Sequence, residues 1–130
     1  MAGNTNLQEV LSSMLISCDD VEYGFATVPS GTQIDVDDVA GTFAESEGLT
    51  IIAGRQYLED KKLPFEGPFA KLSIEVHTSL ELVGLTAVLA TKLAEQGISA
   101  NVVAAYFHDH VFVQYDERSN AVEALDSLKS

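Results

Sequence analysis

Cysteine is almost missing from this chain. The single residue, Cys18, allows no internal disulfide and supplies no thiolate metal cluster. It stands in MLISCDD beside Asp19 and Asp20, carboxylates that raise a thiol pKa, so we expect a small buried hydrophobe and no reactive group. Basic residues are scarce too: seven lysines and arginines face twenty acidic side chains, for a formal charge of -13. Affinity for a phosphate backbone comes largely from cations displacing counterions, so this balance argues against nucleic acid and anionic membrane as partners. No apolar run approaches the ~20 residues of a membrane span. MAGNTNLQEV has neither a basic segment followed by an apolar one nor a glycine directly after Met1. The expectation is a soluble, cytoplasmic protein.

What is present argues for a packed core. Of 130 residues, 46% are hydrophobic and only 21% charged, enough apolar surface to offset the entropy of ordering. The length suits one ordinary domain or two very small units that share a core.

Periodicity gives the elements. TNLQEVLSSMLI has helical spacing at Leu7, Val10, Leu11 and Met14, and a short apolar piece, LISC, follows. EYGFATV reads as a strand closed by Pro29-Ser30-Gly31. Asp35 and Asp38 suggest the start of a helix that buries Val36, Val39 and Phe43 and stops at Gly48. LTIIAG is a compact strand, and Arg55 to Lys62 a short helix before a proline-bounded connection. In FAKLSIEVH, alternation sets Ala70, Leu72, Ile74 and Val76 against Lys71, Ser73, Glu75 and His77. Thr78 and Glu81 match a capping box, which predicts a helix through LELVGLTAVLATKLAEQ with Leu82, Leu85, Leu89 and Leu93 inward, ended by Gly97. ISANVVAAYF and HVFVQY read as strands joined through His108-Asp109. DERSNAVEALDSL closes as a helix capped at Asp116, burying Val122, Leu125 and Leu128.

Two halves follow, residues 1–62 and 63–130. The first reads α-β-β-α-β and lacks a first strand; the second reads β-α-β-β-α and lacks a last one. Each is a ferredoxin-like βαββαβ unit short of a strand that the other can donate. The expected fold class is therefore α+β, with two halves sharing or exchanging strands in an antiparallel sheet covered by helices. We expect LTIIAG to pair beside KLSIEV.

The stretch from KLSIEVHTSLELVGLTAVLATKLAEQ to YDERSNAVEALDSL resembles an ACT domain, with its nearest likeness among the regulatory ACT units of aspartate kinase. Val83-Gly84-Leu85 matches the family's loop glycine and following aliphatic residue, with Val83 where a proline is common. LAEQGISANVV is similar as well. The first half resembles the same unit by element order and GLTIIAG. Small free-standing tandem ACT-like proteins, whose repeats exchange strands, are the closest type. The resemblance implies a non-enzymatic module of amino-acid metabolism that binds a small molecule, an amino acid, and pairs as a homodimer.

The chain's three histidines sharpen the expectation. In a ferredoxin-like unit the end of the first strand, the turn between the second and third, and the start of the first helix share one end of the sheet. That predicts a pocket of His77, Thr78, Ser79, Leu80, Val83, Gly84, Leu85, Thr86, Asn101, His108, Asp109 and His110. Helix N–H groups would meet a ligand carboxylate, Gly84 would admit it to the backbone, and Asp109 would hold an ammonium group. The same His77, His108, Asp109 and His110 offer imidazole and carboxylate donors for a divalent metal as the alternative. A third reading is an interaction module without ligand, with Asp109 serving a turn and the histidines a solvated rim. Ser79 near His77 and Asp109 has the residue types of a nucleophilic triad, but no nucleophile elbow or hydrolase order accompanies it. No catalytic residue and no cofactor is expected. The glycines at 31, 41 and 48 make no phosphate loop, and Tyr106, Phe107, Phe112 and Tyr115 are read as core or interface.

Overall fold

A computed structural model describes residues 6–76 and 83–129. In chain order the elements are α1 (Leu7–Ser13), β1 (Leu15–Cys18), β2 (Tyr23–Val28), β3 (Gly41–Glu45), β4 (Gly48–Gly54), α2 (Arg55–Asp60), β5 (Glu66–Glu75), α3 (Leu85–Glu95), β6 (Asn101–Ala104), β7 (Asp109–Gln114) and α4 (Arg118–Asp126). They form two compact units, one of residues up to Asp19 together with Ala70 onward, the other of Asp20–Phe69. The long strand β5 serves both.

The first unit has strand order β1-β5-β7-β6. β1 lies antiparallel to β5, from Leu15 opposite Glu75 to Cys18 opposite Leu72. This is the ferredoxin-like arrangement of an α+β fold with its last strand supplied by LISC from the start of the chain. The donated strand is thus real, but its identity differs from expectation: β4 pairs with β2 and β3, and KLSIEV takes β1. Register explains the choice, since it turns Ile16 and Cys18 toward the core that Leu72 and Ile74 face.

One hydrophobic core joins this unit's sheet to α1, α3 and α4. Ala70, Leu72 and Ile74 are fully buried, as alternation requires, together with Leu89, Leu93, Val111, Val113 and Leu125. Each fully buried leucine, isoleucine or valine among them contributes roughly 1.5–3 kcal/mol. Asn6 caps α1, its side chain accepting the Glu9 N–H at 3.2 Å, and Val10, Leu11 and Met14 enter the same core. Gly97, at φ +74, ends α3, with the Ile98 N–H donating to the Leu93 carbonyl at 2.9 Å.

Several boundaries differ from the sequence pattern. Among the described residues α3 starts at Leu85, because Gly84 at φ +100 is left-handed and cannot continue a helix backward; Leu82 and the Thr78/Glu81 box lie outside the described residues. β6 stops at Ala104, and the tight connection runs from Ala105 to His108, the Ala105 N–H donating to the His108 carbonyl. Asp109 is therefore the first residue of β7 and no turn tip, while Tyr106 and Phe107 are exposed in the connection. Phe112, by contrast, is buried and Tyr115 half-buried. Asp116 sits within a 3-10 turn and caps nothing. α4 buries Ala121, Ala124 and Leu125, with Val122 and Leu128 only packed at the edge of the core.

The second unit has order β3-β4-β2-β5. Ala26, Val28, Ile51, Ala53 and Leu58 make its core. The helix expected after Asp35 is a single 3-10 turn, Val36–Asp38, followed by β3; Asp35 does cap it, accepting from the Asp37 N–H. Val36 and Phe43, expected to be buried, are each 72% exposed.

Candidate functional site

β5 and β7 bring the site's polar residues together. Ser73 Oγ lies 2.9 Å from His110 Nδ1. That bond is two residues from the carboxyl end of β5 and one from the amino end of β7. Asp109 thus stands by the carboxyl end of β5. Ser73 escapes a reading of motifs, although its place opposite Leu72 and Ile74 in the alternation is visible.

Alternation then divides the His-Asp-His triplet. Val111 and Val113 pack in the helix-covered core, so Asp109 faces the helices, while His110, bonded to Ser73, faces the other way. Opposite His110 on β6 stands Val103, and opposite Ser73 on β1 stands Ser17. The face turned away from the helices carries the row Ser17, Ser73, His110, Val103. The imidazole of His108 lies edge-on to that of His110, ring centroids 6.5 Å apart. Its buried Nδ1 has no hydrogen-bond partner among the described residues. His110 and Asp109 therefore face opposite sides of β7, and His77 lies outside the described residues together with Thr78, Ser79 and Leu80.

Burial controls the titrations here. It pushes the Asp109 carboxyl above its ordinary value of 3.8, against the pull of His110. It also pushes His110 below 6.5, helped by Lys71 and His108 nearby and opposed by Asp109. Cys18 is raised by burial first and Asp19 second. Among the described residues no three His, Cys, Asp or Glu side chains are grouped to hold a metal ion.

The helix-side residues form the other half of the site. Gly84 abuts α1: a Cβ placed there would meet Leu7 Cδ2 at 3.4 Å. Val83 is 86% exposed, and Leu85 turns its side chain into the core. Thr86 is exposed on the first turn of α3, whose leading N–H groups have no carbonyl within the helix to bond. Asn101 is turned to its own hairpin, its amide donating to the Phe112 carbonyl at 3.3 Å.

The fold defines a class, a tandem ferredoxin-type α+β protein. ACT-domain family models match residues 65–127 and residues 2–70. The chain belongs to the ACT domain family. A protein of unknown function from Vibrio cholerae, described as a possible transport protein, is 38% identical over 95% of this chain and 96% of its own, with a TM-score of 0.84. A protein from Agrobacterium tumefaciens is 15% identical, with 89% of each chain covered and a TM-score of 0.73. The ligand-free regulatory subunit of aspartate kinase from Thermus thermophilus, 12% identical, covers 88% of this chain and 97% of its own at a TM-score of 0.61, a likeness of fold. No curated protein matches. No helix of the described residues is long and apolar enough to cross a membrane.

Proposed function

We propose that this chain is a non-enzymatic regulatory module of amino-acid metabolism that binds a free amino acid at the amino end of α3. The observation that carries the reading is Gly84 at φ +100 immediately before that helix, at the family's loop-glycine position. The ligand carboxylate is received by the first-turn N–H groups at Leu85 and Thr86. Asp109, on the helix side of the sheet, receives the ammonium group. Likeness to aspartate kinase regulatory subunits supports the regulatory part, and the family's habit of pairing supports a homodimer in the cytoplasm. His110, on the opposite face of the sheet from Asp109, does not touch the ligand.

Thermal denaturation of the full chain with each of the twenty amino acids tests the proposal, because only a ligand of the native state raises Tm. At a hundredfold excess over Kd the stabilisation is about 2.7 kcal/mol. Asp109→Asn should remove the shift. Twenty flat profiles would leave the interaction module without ligand as the better account.

A further inference from the structure

We propose that the bare face of the second unit's sheet is a docking surface for a basic amphipathic helix of another protein. Alternation defines that face. Ala26, Val28, Ile51 and Ala53 turn inward with Leu58 of α2, and a Cβ on Gly24 would meet Leu58 and Phe65. Phe25 and Ile52, opposite one another on β2 and β4, therefore point the other way. Phe43 on β3 stands opposite Thr50 and is 72% exposed. The Phe69 ring lies edge-on to that of Phe25, centroids 5.4 Å apart. Phe25, Ile52, Phe43 and Phe69 all stand outside the core that α2 covers.

An apolar field thus lies on one side of a sheet whose helix is on the other. Contiguous apolar surface with a polar rim marks an interaction site, and a sheet face is closed most simply by a helix. The size fits. From β3 to β5 the field crosses three strand spacings, about 14 Å, which three turns of α-helix, roughly 16 Å, would cover. The rim selects the sign of the partner. Glu45, whose carboxylate accepts from Thr50 Oγ1, shares the face with Phe43, and Glu66 stands opposite Phe25. Both glutamates are exposed. The unit's only cations are Arg55, Lys61 and Lys62, on or just after the helix of the opposite face, and Arg55 already pairs with Glu22 and Glu59. A second copy would bring the same carboxylates here with no cation to meet them. A helix with an apolar stripe flanked by lysine or arginine meets both the rings and the rim, and the chain's charge of -13 speeds its approach.

The test uses two labelled helical peptides with one leucine stripe, flanked by lysine in the first and glutamate in the second. Fluorescence anisotropy follows their binding to the full chain as wild type, Phe43→Ser and Glu45→Lys. Both positions are exposed, so neither change disturbs the fold. We expect the lysine peptide to bind the wild type and the glutamate peptide to fail. Phe43→Ser should weaken the lysine peptide about tenfold or more, and Glu45→Lys should weaken it and reduce its salt dependence. No binding of the lysine peptide would overturn the assignment, as would equal binding of the glutamate peptide. Affinity unmoved by Phe43→Ser would do the same, since it would show attachment by charge elsewhere on the chain. Sedimentation supplies the last arm: a dimer that Phe43→Ser breaks into monomers would make the second copy the occupant and sink the proposal, whereas an oligomeric state unchanged by Phe43→Ser supports a face left free for another protein.

Discussion

His110 and Asp109 are neighbours whose titrations pull stability in opposite directions. Burial lowers the folded pKa of His110, so its contribution is present above the ordinary value of 6.5 and is lost as pH falls through the folded value. The unfolded chain takes the proton first. Burial raises that of Asp109, so its contribution is complete below 3.8 and is lost as pH rises through the folded value. Two substitutions separate them. His110→Gln should flatten the decline of Tm below pH 6.5, with Ser73 still able to bond the amide. Asp109→Asn should raise Tm at pH 7 while weakening ligand binding, the opposition expected of a strained binding residue. A Tm for Asp109→Asn below the wild type at pH 7 would contradict the burial argument. Gly84→Ala tests the backbone at the same place: φ +100 costs a residue with a Cβ about 1–2 kcal/mol, read as a lower denaturation midpoint with an unchanged slope. The triplet's residue types were plain in the sequence, but its division between two faces was not. A turn at Asp109 suspends the two-residue alternation; a strand that begins there enforces it.

At the scale of elements, legibility followed burial. KLSIEV and the Leu85, Leu89, Leu93 stripe were readable because each has one face fully covered, and a covered face leaves a period in the sequence. The segment from Val36 to Phe43 departs from its sequence pattern for the converse reason. Its apolar residues have helical spacing, yet Val36 and Phe43 face water and β3 is held by backbone pairing with β4, which imposes no pattern on side chains. Among the described residues α3 begins at Leu85, because the left-handed conformation of Gly84 is a property of the folded loop that helical spacing does not show. The contrast yields a paired prediction. Leu89→Ala should cost 2–5 kcal/mol, since it opens a cavity in a closed core. Phe43→Ser should stay within about 0.5 kcal/mol, as an exposed position does. Chemical denaturation measures both, and a Phe43→Ser loss above 2 kcal/mol would mean that this face is covered in solution.

For the whole molecule, the donated strand is the decisive connection. β1 and α1 are contiguous at the start of the chain, yet both complete a unit whose remaining elements begin at Ala70. Without them the residues from Leu72 to Glu75 lose an antiparallel partner, and the core loses Val10, Leu11 and Met14. An unpaired edge beside exposed apolar surface aggregates. Deleting residues 1–19 should therefore abolish the cooperative transition of this unit, and near-ultraviolet dichroism of Tyr115 and Phe112 reports the loss. The second unit owes its core to Ala26, Val28, Ile51, Ala53 and Leu58, none of them deleted, so the far-ultraviolet signal should fall only in part. A synthetic peptide of residues 1–19 added back should pair with β5 and restore the lost transition, with a midpoint that rises with peptide concentration as mass action requires. A truncated chain that melts at the wild-type temperature would show that β5 needs no partner from the other end. The strand exchange would then be ornamental, and the order of elements would no longer explain why one unit interrupts the other in sequence.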